Sequence, residues 1–283
     1  MKKHSITAHT MVKNEARFVW YSVMSVIDYV DRYLLWDTGS TDGTLEILKH
    51  IKKIKGDKVD FRQIDQSDIS DFTRARREML TATTTDWFLM VDADEVWWDE
   101  SIQKVVEVMK GKKSKNIESI VVPTVNLVGD MFHFQEDAAG AYHLAGRVGH
   151  LNLRGINRNI PGLSSNKPHG TWGWTDGNGH MIQDRDQKKI MYIDASYLHA
   201  TFLERSGFGS GDRVTPKRAK KLKHEIGIEF PRDYYYPEVF FRSRPRSVHS
   251  PWETMDRSFI LRSYIETPLR KVKRRLLPKK VGY

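Results

Sequence analysis

Two hydrophobic periods alternate along the first hundred residues. Ile6–Met11, Tyr33–Trp36, Val59–Ile64 and Trp87–Val91 are short, dense apolar runs of strand length. Between them the spacing changes to steps of three and four. Phe18, Val19, Ser22, Val23, Val26, Ile27 and Val30 predict an amphipathic helix over Asn14–Tyr29. Leu45, Leu48 and Ile51 predict a second helix after Asp42-Gly43. Asp71–Thr81 reads as a third, with Ser70 or Asp71 as its N-cap. Strands separated by helices of this length predict βαβ units and an α/β fold with a mostly parallel, Rossmann-type sheet.

After residue 120 the pattern loosens. Ile120–Val128 and Ile190–Phe202 read as strands, and residues 140–180, rich in Gly, His, Asn and Trp, read as long loops. Beyond Ser206 come a polar Gly/Ser stretch, a basic helix at Lys217–His224, an aromatic patch at Tyr234–Phe241 and a basic tail. The expected organisation is a catalytic domain over 1–205, divided at residue 100 into a nucleotide-sugar half and an acceptor half. A helical, basic C-terminal appendage is expected over 206–283.

In a parallel sheet the strand-to-helix loops gather along one edge, where open α/β sheets bind their ligands. Met11–Lys13, Asp37–Gly39 and Asp92–Glu95 each follow a strand directly, so they are expected in one crevice. Asp92 and Asp94, two apart in extended chain, point the same way and can approach one hard cation such as Mg²⁺ or Mn²⁺. The alternative is a solvated acidic turn, against which stands the apolar run Trp-Phe-Leu-Met-Val that leads into it. Asp37 can accept hydrogen bonds from a nucleobase or a ribose, or can cap the turn-rich Thr-Gly-Ser-Thr-Asp-Gly-Thr that follows it. That run lacks the Gly-Lys-Ser/Thr of a P-loop and the spacing of a dinucleotide fingerprint.

Composition narrows the field. With no cysteine, thiolate zinc sites, disulfide frameworks and cysteine nucleophiles are excluded. Lys and Arg number 46 against 36 Asp and Glu, a net charge of +10 that favours an anionic partner. Seven of those surplus charges lie in residues 267–283, which contain no acid. Such a tail is either a solvated terminal helix or a surface that touches anionic lipid or polymer. No run approaches membrane-spanning length, and MKKHSITAHTMVKNE has no apolar segment of a signal peptide. The expectation is a cytoplasmic protein, peripheral at a membrane if the tail binds lipid. No nucleic-acid motif appears, and nucleic acid is not expected as a partner.

Thr10-Met11-Val12-Lys13-Asn14-Glu15, Asp37-Thr38-Gly39-Ser40-Thr41-Asp42-Gly43-Thr44, Asp71-Phe72-Thr73-Arg74-Ala75-Arg76 and Val91-Asp92-Ala93-Asp94-Glu95 occur in that order. Together they resemble the family-2 glycosyltransferases of GT-A fold, especially the bacterial branch that builds lipopolysaccharide cores and surface glycans. The resemblance covers residues 5–100. It implies an inverting transferase that moves a hexose from a nucleotide-diphosphate sugar, a UDP-sugar first, to a glycan or glycolipid hydroxyl, with Mn²⁺ or Mg²⁺. Thr10, Val12, Glu15 and Asp37 would then hold the nucleoside, Arg76 would lie beside the donor, and Asp92 would contact ribose or sugar. Asp94 would ligate the metal. His199 fits the family's histidine after its last core strand, either as a further ligand or as a core histidine, with Arg205 as a phosphate contact.

Related enzymes often carry a His-Glu pair about 75 residues after the acidic motif; here the place reads Pro168-His169-Gly170. The catalytic base is therefore sought in Asp176 first and His169 second, with Glu136 and Asp137 as further candidates. Trp97, Trp98, Trp172 and Trp174 are placed near the site or in the core, and Trp20, Trp36 and Trp87 in the core. Tyr234–Pro237 either receives an acceptor or docks the C-terminal region. The rival functions are a non-catalytic nucleotide-sugar or glycan-binding module and a polyanion-binding protein.

Overall fold

A computed structural model describes residues 4–64, 69–166, 173–204 and 222–276. The first half contains β1 (Ile6–Val12), α1 (Val19–Val26), β2 (Arg32–Asp37), α2 (Thr44–Lys55), β3 (Val59–Gln63), α3 (Ile69–Ala82) and β4 (Trp87–Met90). A short strand, β5 (Glu95–Trp97), leads into α4 (Asp99–Lys110). Then come β6 (Ser119–Val128), β7 (Asp130–Phe134), β8 (Tyr142–Leu144), β9 (Arg147–Gly149) and β10 (Leu151–Asn157). The rest is β11 (Ile190–Tyr192), β12 (Tyr197–Phe202), β13 (Ile228–Glu229) and the helix α5 (Arg257–Leu276).

The main sheet runs β13-β7-β6-β10-β4-β1-β2-β3. Its β4-β1-β2-β3 portion is parallel, as the alternation of strands and helices predicts. β10 joins this portion to the rest by antiparallel pairing with both β4 and β6. β11 and β12 lie parallel to β6, and β12 also pairs antiparallel with β5, which curls the sheet at that end. The chain is thus a mixed α/β fold with a mostly parallel, curled sheet and a helical C-terminal segment.

Successive strand residues face opposite layers. Tyr33 and Leu35 of β2 join Trp87 and Leu89 of β4 in a large core that also takes Val19, Val23, Ile47 and Ile51 from α1 and α2. On the other face Leu34 and Trp36 meet Met79 of α3, while Phe88 and Met90 pack with Trp174 and Ile182.

Two expectations change in the structure, and one falls largely outside it. The first helix begins at Val19 rather than Asn14, because Asn14 adopts φ 54° and its Oδ1 accepts from the Thr41 amide at 2.7 Å. The left-handed residue turns the chain before the helix can start. Ile190–Phe202 is two strands rather than one: both run parallel to β6, but residues 193–196 leave the pairing, with the Ala195 amide donating to the Ile193 carbonyl at 2.9 Å. The basic helix at Lys217–His224 lies outside the described residues up to 221, and His224 itself is not helical.

Candidate active site

The parallel strands β1, β2 and β4 deliver their exits to one edge. Val12 lies beside Asp37 in register, and Val91 bonds back to the His9 carbonyl at 3.0 Å. The Thr10 hydroxyl donates to the Val91 carbonyl at 2.7 Å and lies 2.8 Å from the Tyr33 hydroxyl, tying the exit of β4 to β1. Thr10 and Val12 are buried, and the Val12 carbonyl accepts from the Thr38 amide and hydroxyl. Glu15, also buried, receives the start of α1 on its carbonyl, and its own amide donates to Thr44 Oγ1 at 2.8 Å.

Asp37 is 1% exposed at the end of β2. Its Oδ2 accepts from the Gly39 and Ser40 amides, each at 3.1 Å, so it shapes the turn as one sequence reading expects. Its Oδ1 is buried and accepts no hydrogen bond among the described residues. A buried carboxylate oxygen without a donor is costly unless a ligand supplies one.

Around the acidic motif the structure assembles residues from four strands. Arg154, buried in β10 at a break in the pairing register, donates to Asp92 Oδ2 at 3.0 Å, to Glu95 Oε1 and, through Nε, to the Tyr197 hydroxyl at 3.1 Å. The Tyr197 hydroxyl donates to Glu95 Oε1 at 2.8 Å and receives Asn152 Nδ2 at 2.6 Å. The Asp92 amide donates to Glu95 Oε2, and the Asp92 carbonyl accepts from the Ser22 hydroxyl. Desolvation by the surrounding protein works against charge on the Asp92 carboxyl, although its side chain is half-exposed, and Arg154 holds it below the usual carboxylate range. Burial pushes Glu95 up to about 8, against the pull of Arg154.

Asp94 is 5% exposed, and its carbonyl accepts from the Ala200 amide at 2.8 Å, joining the motif to β12. That strand carries His199, whose Nε2 lies 3.5 Å from Asp94 Oδ1. This is beyond an ordinary hydrogen bond. A carboxylate and an imidazole converging at this distance suit a shared divalent cation. Among the described residues no three His, Asp or Glu side chains gather as a metal cluster. Among the described residues the pair amounts to two donor side chains, and Mg²⁺-type ions commonly complete their shell with water or ligand oxygens.

Arg76, 7% exposed on α3, lies 5.6 Å from the Trp174 ring and 5.1 Å from Phe72. Trp174 lies edge-on to Phe88, and its Nε1 reaches Met90 Sδ at 2.8 Å, so its ring forms core on the β4 side. Trp97 and Trp98 belong to packing as well. Trp97 is fully buried against Tyr197, and Trp98 donates to the Tyr235 carbonyl and meets Tyr234 edge-on. Tyr234 stacks on Phe230, and Tyr236 meets Tyr234 and Trp252 edge-on, which makes the aromatic patch a docking surface for the C-terminal region.

The base candidates are not brought to this crevice by any contact described. Asp176 is 5% exposed, pairs with Arg185, and accepts from the Asn178 and His180 amides at 2.9 and 3.0 Å. Despite the cost of burial, those bonds hold its carboxyl below its usual range. A carboxylate engaged in this way fastens its loop and is a poor proton acceptor. Glu136 pairs with Arg274 at 3.0 Å, and Asp137 opens a short turn beside it. His169, Trp172 and Arg205 lie outside the described residues.

Sequence reading passed over Arg154, Glu95 and Tyr197. Only Glu95 carried a signal, as the residue closing Asp-Ala-Asp-Glu; Arg154 lies 62 residues from Asp92 in an unremarkable strand.

A parallel sheet whose strand exits gather carboxylates, with a carboxylate–imidazole pair at its edge, has the site of an α/β protein that binds its ligand outside the carboxyl ends of its strands. Residues 7–153 match glycosyl transferase family 2, just over half of the chain, and the chain belongs to that family. It is 25% identical over 147 residues to the SPbeta prophage-derived glycosyltransferase SunS of Bacillus subtilis (strain 168), covering 51% of this chain and 32% of that protein. The chain therefore spans about a third of the length of that curated relative. A TPR repeat-containing protein of Synechococcus elongatus is 38% identical over 85 residues, 30% of this chain and 19% of that protein.

Among solved structures, glucosyl-3-phosphoglycerate synthase from Mycobacterium tuberculosis with Mn²⁺, UDP-glucose and phosphoglyceric acid is similar at TM-score 0.45. That match has 14% identity over 70% of this chain and 72% of the other. The mannosyltransferase PcManGT from Pyrobaculum calidifontis with GDP-mannose and Mn²⁺ is similar at TM-score 0.39 and 15% identity, over 56% and 46% of the two chains.

Proposed function

We propose that this chain is an inverting, divalent-metal-dependent glycosyltransferase that moves a hexose from a UDP-sugar to a hydroxyl of a glycan or glycolipid, in the surface-glycan branch of its family. The observation that carries the reading is the Asp94–His199 pair at 3.5 Å, at the same sheet edge as Asp37 and Asp92. Asp37, with one buried carboxylate oxygen unengaged, would receive the N–H of the base. Asp92, held by Arg154, would accept from ribose or sugar hydroxyls, and Thr10, Val12 and Glu15 form the floor that fixes these exits.

Rupture of a sugar–phosphate bond leaves negative charge on the departing diphosphate, and stabilising that charge is the main catalytic demand. Asp94 and His199 would hold Mn²⁺ or Mg²⁺, which when bound supplies Lewis-acid stabilisation of the diphosphate. Arg76, behind Trp174, adds positive potential on the α3 side. Attack by the acceptor hydroxyl on the face opposite the leaving group inverts the anomeric carbon. Asp176 can take the acceptor proton only after releasing Arg185, so among the sequence candidates His169 is the base this reading carries forward.

The test is nucleotide release with a panel of nucleotide sugars and Mn²⁺. Turnover with one UDP-sugar is expected, falling about 100-fold or more in Asp94→Ala, the scale of losing one electrostatic group at a developing charge. Turnover unchanged in Asp94→Ala would remove the metal site from the reading, and donor binding without turnover would leave a binding module.

A further inference from the structure

Helix α5 is mounted with its apolar side outward. It runs 20 residues, about 30 Å at the usual rise. Ser263 and Thr267 are its buried positions, and Thr267 Oγ1 accepts the Ile226 amide at 2.8 Å. Two turns further on, Arg274 reaches inward to Glu225 and Glu136. The opposite side carries Leu261, Ile265, Leu269, Val272 and Leu276 at helical steps of three and four, each more than half exposed, with Tyr264 beside them. A helix covering a core buries its apolar stripe and presents its polar side to water; here the relation is reversed.

The exposed basic residues fall along both margins of that stripe. By helical spacing Arg257, Lys271 and Arg275 flank one side, and Arg262 and Lys273 the other. Seven Lys and Arg against the single Glu266 make the helix strongly cationic. A second copy laid against the stripe would oppose cationic margin to cationic margin, a repulsive arrangement, with Pro268 interrupting the contact face. An anionic lipid surface satisfies both features at once. Apolar side chains enter the acyl boundary while long basic side chains reach the headgroups. No helix among the described residues is long and apolar enough to cross a membrane, so α5 would lie in the interface plane.

We propose that α5 is a membrane-docking helix that seats the protein on anionic lipid through Leu261, Ile265, Leu269, Val272 and Leu276. The docking surface shares no residue with the proposed active site, so lipid binding and sugar transfer stand or fall separately.

The full chain is tested by sedimentation with vesicles of phosphatidylcholine alone and of phosphatidylcholine mixed with phosphatidylglycerol. Binding to the mixed vesicles, weakened by salt, is expected. Leu261→Ser/Ile265→Ser/Leu269→Ser should lower the partition constant at least about tenfold, since several buried apolar groups are lost. Lys271→Glu/Lys273→Glu should lower it comparably while leaving the apolar stripe intact. Every position changed is exposed, and unchanged thermal unfolding is the control for fold. Equal binding to both vesicle types, or binding by either variant equal to wild type, overturns the proposal. So does a wild-type dimer in sedimentation velocity that the apolar variant dissolves and that does not bind vesicles.

Discussion

The imidazole of His9 lies flat against Phe88, ring centroids 4.7 Å apart, and its Nε2 meets the Thr83 hydroxyl at 2.6 Å. Burial, reinforced by the positive charges of Arg76 and Arg32, pushes this histidine down to about 3. An unfolded histidine titrates near 6.5, so the folded state binds fewer protons below that value. The stability this contributes is present above about pH 6.5 and is lost as pH falls toward 3. The slope is at most about 1.4 kcal/mol per pH unit. His150 and His224, also lowered by burial, act in the same direction. His133, raised by its bond to Asp130, changes its contribution only above pH 6.5. Glu95, raised by burial, contributes in the opposite sense over the same range, so the test is a difference: in urea unfolding, His9→Gln should gain about 2 kcal/mol relative to wild type between pH 6.5 and pH 5, one proton's share of the slope. An unchanged slope in the variant would mean that His9 is not held neutral.

Helix α5 meets the remainder of the protein through an ionic cluster as well as through Thr267. Arg274 spans Glu225 at 2.5 and 2.6 Å and Glu136 at 3.0 Å, and Glu225 is only 1% exposed. Burial opposes charge on Glu225, but Arg274 keeps its carboxyl below the usual range. Removing the cation leaves a buried carboxylate unopposed, so Arg274→Met should cost about 3 kcal/mol. Adding Glu225→Gln should recover more than half of that loss, because the neutral amide needs no counter-charge. Denaturant titration of the two variants measures the coupling directly. If Arg274→Met alone is neutral, the cluster is exposed and loosely formed in solution.

The elements of the parallel portion were readable because most are governed by local period: dense apolar runs for β1 to β4, three-and-four spacing for α1 and α2. Their boundaries fall within a few residues of expectation, except where Asn14 delays α1. β10 was not readable. Its sequence, Leu-Asn-Leu-Arg-Gly-Ile-Asn, places a charged residue and a glycine where a buried strand should be apolar. Arg154 is tolerated there only because Asp92, Glu95 and Tyr197 arrive from other strands to bond it, and no local pattern encodes such a meeting. The carboxylates of the candidate site were visible as strand-exit residues. The groups that orient them were not.

Across the whole molecule, the candidate site joins two parts of the sheet with different origins. Asp37 and Asp92 stand at the exits of parallel strands, while His199 arrives on β12, held beside β5 and β6. A nucleotide diphosphate reaching from Asp37 to the Asp94–His199 pair would bind both parts together. Its affinity should then depend on the cation that links phosphate to protein. Ligand at 100 times its dissociation constant stabilises a folded protein by about 2.7 kcal/mol, enough to raise the melting temperature by several degrees. UDP with Mn²⁺ is therefore expected to raise it more than UDP alone plus Mn²⁺ alone. Asp94→Ala should keep the shift from UDP alone, which draws on Asp37, and lose the excess that requires Mn²⁺. A melting temperature raised equally by UDP with and without Mn²⁺ would show that the diphosphate reaches no cation at this edge. The surplus of basic residues bears on the same result. Most of it lies in the C-terminal 17 residues, so charge from α5 would leave the Mn²⁺-dependent excess unaltered by Lys271→Glu/Lys273→Glu, even as vesicle binding fell.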